Sequence, residues 1–131
     1  MRNNCIFLLL LVLLICPGCG AGLRENLRGI AGISTKTLED NLPNAAVKEF
    51  NLGYGAAYSK TESILKEINA FIYTIDKSKK LIAVYVSEKD TTPVGIFFKE
   101  IGSGKVQLQV SSPSTYAREF IAGKIFAGLE K

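Results

Sequence analysis

Any chemistry in this chain of 131 residues must be done without histidine. There is no His and no Trp, and the three cysteines, Cys5, Cys16 and Cys19, all lie near the start. A Ser-His or Cys-His nucleophile, a His-bearing zinc site and a thiolate metal site are therefore closed to the rest of the sequence. Acid–base work would need paired carboxylates, or a lysine or tyrosine with a shifted pKa. Glu88 and Asp90 share the loop Glu88-Lys89-Asp90-Thr91-Thr92-Pro93 and are formally such a pair, yet charged turn residues ahead of a proline need no chemistry. Gly53-Tyr54-Gly55-Ala56-Ala57-Tyr58, with Asp76 downstream, imitates a dinucleotide fingerprint. Bulky Tyr58 at the third small position and hairpin-linked strands beyond it favour a plain strand-to-helix turn. Ser111-Ser112-Pro113-Ser114-Thr115 places hydroxyls and free amides at a helix start, which suits an anion or, more simply, a cap. Lys77-Ser78-Lys79-Lys80 reads as a solvated hairpin tip guarding a sheet edge, with anionic lipid or peptidoglycan as its functional alternative. No catalytic residue, cofactor or metal site is expected.

The one strong motif is amino-terminal. Met1-Arg2-Asn3-Asn4 is followed by an apolar run from Ile6 to Ile15 and then by Cys16-Pro17-Gly18-Cys19-Gly20. A basic start, a short apolar core and a small residue before a cysteine describe a secretory signal. The run is too short to cross about 30 Å of hydrocarbon, which takes roughly 20 helical residues. Gly18–Cys19 sets a compact residue beside a thiol, and the arrangement resembles the lipobox of bacterial lipoprotein precursors. Cys16 and Pro17 stand where that family usually has an aliphatic and a small residue. The resemblance implies a signal peptide over residues 1–18, cleavage between Gly18 and Cys19, and a lipid on Cys19. It further implies a cell-envelope protein, membrane-anchored through Cys19 and facing the periplasm or exterior. Gly20 occupies the place where Asp signals inner-membrane retention in some bacteria, so by the same resemblance the outer membrane is favoured over the inner. Mature protein would keep one sulfur, in a thioether, and no disulfide could staple it.

Removing 18 residues from 131 leaves 113, enough for one ordinary domain. With Arg2 gone, 15 basic and 12 acidic residues leave +3, too weak and dispersed to imply nucleic acid. Residues 19–44 read as a lipidated tether interrupted by Gly29, Gly32 and Pro43, with one helical turn at 37–42, and residues 45–131 as the domain. Lys48–Leu52 alternates as a half-buried strand with Phe50 and Leu52 inward. Tyr54, Ala57, Tyr58, Thr61, Ile64, Leu65 and Ile68 recur as a helical stripe that Asn69 closes in a left-handed conformation. Strands follow at 71–76, 81–87, 94–101 and 105–111. A Gly102-Ser103-Gly104 loop registers the last two, with Phe98 opposite Leu108, Ile96 opposite Val110 and Phe97 opposite Gln109. Ser112-Pro113 then starts a helix striped by Ala117, Phe120, Ile121, Ile125 and Leu129. The expected fold is α+β: an antiparallel sheet of about four to five strands with two helices packed on one face, in the order β-α-β-β-β-β-α.

That register turns Tyr85 and Phe97 together onto the other face, joined by Phe71 and Tyr73 or by Ile72. Aromatics clustered on an otherwise polar face make a candidate interaction surface; the alternative is that the tether or first strand folds over them. The chain as a whole resembles small bacterial envelope lipoproteins of uncharacterised function, which implies an envelope location and no activity. A lipid-anchored binding or scaffolding module with an envelope protein as partner is the first expectation. The second is a carrier or sensor of a small apolar ligand held between sheet and helices.

Overall fold

The computed structural model describes residues 35–131. The signal segment, Gly18, Cys19 and the first part of the tether lie outside the described residues. The order is α1 (Lys36–Asp40), a 3-10 turn (Leu42–Asn44), β1 (Ala46–Phe50), α2 (Tyr54–Glu67), β2 (Phe71–Asp76), β3 (Leu81–Tyr85), β4 (Pro93–Gly102), β5 (Lys105–Ser111) and α3 (Thr115–Leu129). Five strands form one antiparallel sheet in the order β1-β5-β4-β3-β2. The fold is α+β. Among the described residues no helix is long and apolar enough to cross a membrane.

Strand alternation decides what each face holds. Ile82, Val84, Ile96, Phe98, Leu108 and Val110 turn to the side covered by α2 and α3. There they meet Ala57 and Leu65 of α2 and Ala117, Ile121, Ile125 and Leu129 of α3. Phe98 lies opposite Leu108, Ile96 opposite Val110 and Phe97 opposite Gln109, as the loop predicts. Gly104 takes the positive φ of 66° that the hairpin requires. Pairing skips Ile101, however, and closes on Gly102–Lys105, so the loop is one residue tighter than expected and Ile101 bulges.

Both main helices end by local chemistry. At the end of α2, Asn69 sits at φ 59° while Ala70 N–H donates to the Leu65 carbonyl and Asn69 N–H to that of Lys66. These two bonds satisfy carbonyls that a helix end leaves open. At the start of α3 the cap is Ser114, whose Oγ accepts from Ala117 N–H at 3.2 Å. The expected cap, Ser112, is already engaged: its Oγ donates to the Pro93 carbonyl at 2.7 Å and accepts from Ser114 N–H at 3.1 Å. The helix therefore starts after Pro113 rather than on it.

The opposite face is where sequence and structure part. Residues 36–44 do not behave as tether, because Leu38 is fully buried against Leu81, Ala83 and Phe97, with Leu42 and Tyr73 at the margin. Gly95 makes room for it. A Cβ built there would lie 3.0 Å from Leu38 Cδ1 and 2.9 Å from Phe97 Cε2, so only glycine lets α1 approach the sheet this closely. Ser111 Oγ donates to the Leu38 carbonyl at 2.7 Å, Lys79 pairs with Glu39 at 2.5 Å, and Arg118 donates to the Asn44 carbonyl at 2.7 Å. The folded unit thus begins near residue 35, about ten residues earlier than the sequence pattern indicates.

Candidate functional site

Phe97 is not part of an open surface. It is only 8% exposed, because α1 lies over it. Its parity was readable from β4, but parity says which face a residue points to and not whether that face is covered. Tyr85 shares the face yet pairs opposite Phe71 and Pro93, whereas Phe97 pairs opposite Leu81. The two therefore do not make one patch.

Tyr85 instead is the middle of a three-ring stack. Tyr73 stacks with it at a centroid separation of 4.3 Å, and Phe71 at 6.2 Å and an interplanar angle of 12°. The pairing of Phe71 with Tyr85 produces half of this arrangement. Tyr73, two residues on, shares the face of Phe71 by strand alternation and supplies the other half, although a bulge between Ile72 and Thr74 leaves it out of the pairing register. Tyr73 anchors the stack against the cluster under α1, and its hydroxyl is buried without a hydrogen-bond partner. Burial, with a smaller contribution from Tyr85, pushes this phenol up to about 12. It stays protonated at any physiological pH and has no role as an acid or base there. Phe71, at the outer end, is 46% exposed.

Phe71 also lines an open cleft of about 520 Å³ between the α2–β2 turn and the β3–β4 loop. Lys66, Asn69, Ser87, Glu88 and Lys89 supply its polar lining. A second open cleft of about 370 Å³, lined by Lys60, Ser63, Ile64 and Gly128, lies against α2 and α3. Neither lies between sheet and helices with a lining of Phe and Ile, the place an apolar carrier would use.

The remaining motifs resolve into structure. Asp90 Oδ1 accepts from Thr92 Oγ1 at 2.6 Å and Thr92 N–H at 3.1 Å, which holds its carboxyl below the usual range as a fixed turn anion. Asp76 Oδ1 likewise accepts from Ser78 Oγ, Ser78 N–H and Lys79 N–H, and is lowered by those bonds. At the hairpin tip Lys79 is paired with Glu39, and Lys80 pairs with Glu100 at 2.6 Å while lying 4.9 Å over the Tyr54 ring. Gly53 and Gly55 have open space where a Cβ would sit, so no close approach demands glycine, and Tyr58 packs on Phe98. Ser111, Ser112 and Ser114 are all spent on backbone groups. Among the described residues no group of His, Cys, Asp and Glu is arranged to hold a metal ion.

The glycine in β4 was the one signal of the covered face that the sequence offered, since glycine inside a strand marks close backbone approach. The cleft had no such signal, because it needs the α2–β2 turn and β3–β4 loop side by side. No protein-family model matches this chain, and a comparison with curated proteins finds no match to it.

Proposed function

We propose that this chain is a lipid-anchored cell-envelope protein whose α+β domain is a binding or scaffolding module without catalysis. The anchor half of the reading is supported by Gly18–Cys19 behind a short apolar run, with the outer membrane the favoured site. The binding half rests on one observation, the Phe71–Tyr85–Tyr73 stack with Phe71 exposed at its end. A rigid aromatic platform loses little side-chain freedom on contact and is costly to leave in water without use. Two experiments test the halves separately. Cys19→Ala should be released or stay unprocessed, and its recovery in membranes at the mature mass would overturn the anchor. Crosslinking from the native envelope should capture a partner with the native chain and not with Phe71→Ser; undiminished capture would overturn the binding surface.

A further inference from the structure

We infer that the cleft beside Phe71 is a saccharide site that prefers acidic sugars, an assignment that rests on the binding-module reading above. Three features of the cleft converge on that chemistry. Phe71 presents a half-exposed ring backed on one side by Tyr85, the kind of flat apolar plate on which the C–H face of a pyranose lies. Around it stand donors and acceptors together: the ammonium groups of Lys66 and Lys89, the Asn69 amide, Ser87 Oγ and the Glu88 carboxylate. A ring bearing hydroxyls, each both donor and acceptor, uses both kinds at once. A purely apolar ligand would instead strip water from these polar groups without replacing it.

All of these polar groups but Ser87 Oγ, which accepts from Asp90 N–H at 3.0 Å, are also unspent. Lys36, Lys48, Lys79 and Lys80 each meet a carboxylate elsewhere in the fold. Lys66, Asn69, Glu88 and Lys89 make no side-chain hydrogen bond or ion pair among the described residues, although all four face one cleft. Two ammonium groups against one carboxylate leave the cleft with a single positive charge, which favours a sugar acid over a neutral sugar. Glu88 at the same time opposes a polyphosphate. The cleft volume of about 520 Å³ and its open form suit one or two units of a longer chain that continues into solvent.

The test is an amide-resolved NMR titration of the full chain in detergent with tetragalacturonate, using chitotetraose as the neutral comparator. Tetragalacturonate should shift Asn69, Phe71, Ser87 and Glu88, and Phe71→Ala should weaken binding about tenfold or more while Phe71→Tyr retains it. Asn69→Gly keeps the left-handed turn and removes only the amide, so its weaker binding would not come from unfolding. The double variant Lys66→Met/Lys89→Met should erase the preference for the acidic sugar. Absence of shifts with both sugars, equal binding of the neutral one, or binding indifferent to Phe71→Ala overturns the assignment. If no sugar binds while Phe71→Ser still abolishes partner capture, the ligand class is wrong and the binding surface stands; if neither depends on Phe71, both fail.

Discussion

Leu38→Ala asks whether residues 36–44 belong to the fold. Leu38 is fully buried, and the atoms removed are those that fill the hollow above Gly95 and against Phe97, Leu81 and Ala83. Truncating a buried Leu costs about 2–5 kcal/mol, the spread reflecting how far the site collapses. Here the lower end applies, because α1 has only five residues and can settle or lift away. Lifting has its own cost: it strands Ser111 Oγ, whose bond to the Leu38 carbonyl is worth about 1 kcal/mol. The expected loss is therefore about 2–3 kcal/mol of unfolding free energy. Urea unfolding followed by circular dichroism and tyrosine fluorescence reads it, since five tyrosines and no tryptophan are present. Gly95→Ala should also destabilise, because the new Cβ meets Leu38 Cβ at 3.1 Å and Cδ1 at 3.0 Å. With Leu38 already Ala, the Cδ1 clash is gone and the added cost of Gly95→Ala should shrink by about 1 kcal/mol. A Leu38→Ala loss under about 0.5 kcal/mol, the level of an ordinary surface change, with strictly additive costs would refute the docked segment.

Phe97→Ala and Phe98→Ala should both cost about 3–5 kcal/mol in the same denaturation assay, because both faces of β4 are covered. Gly123→Ala should stabilise by up to about 1 kcal/mol, as its Cβ would enter open space within a helix, whereas Gly128→Ala should lower the midpoint by pressing on Ile64 of α2. Tyr73→Phe should leave stability unchanged or raise it by about 1 kcal/mol, since the hydroxyl it removes is buried without a partner. Because the folded phenol is pushed up from 10.0 to about 12, folded protein holds that proton while unfolded chain loses it. Stability is full below pH 10 and should fall as pH rises towards 12, and Tyr73→Phe should remove that component of the slope. Asp76 and Asp90 run the other way: their lowered carboxyls support the turns above about pH 4 and release them as acid protonates them, which amide exchange at Ser78 and Thr92 would report.

Periodicity carried the elements well because the interactions that set it are local. The Asn69 terminus, the Phe98–Leu108 register and the positive φ of Gly104 each follow from a few neighbouring residues. What failed did so wherever distant segments meet. Leu38 belongs to a stretch rich in turn-forming residues, and nothing within it reveals that Gly95 leaves a hollow to receive it. Ser112 looks like a cap until the Pro93 carbonyl, nineteen residues earlier, takes its hydroxyl. The candidate surface shifted for the same reason: Tyr85 keeps Phe71 and Tyr73 beside it, one of the two arrangements that alternation offers, but Phe97 is covered by Leu38 from a segment far away in sequence.

The sheet order β1-β5-β4-β3-β2 governs when the domain can form. The strands β2 to β5 follow one another as hairpins and can pair as they emerge. β1 cannot, since its only strand partner among the described residues is β5 and Phe50 pairs with Val106, 56 positions later. Leu38 waits longer still, 73 positions, for the Ser111 hydroxyl. A chain made amino end first therefore keeps β1 unpaired, and the Leu38 carbonyl without the Ser111 hydroxyl, until β5 arrives. Closure of such a distant pair carries a loop entropy that slows folding. The topology thus works as a timing device: the sheet closes only once β5 is available to take β1 at its edge.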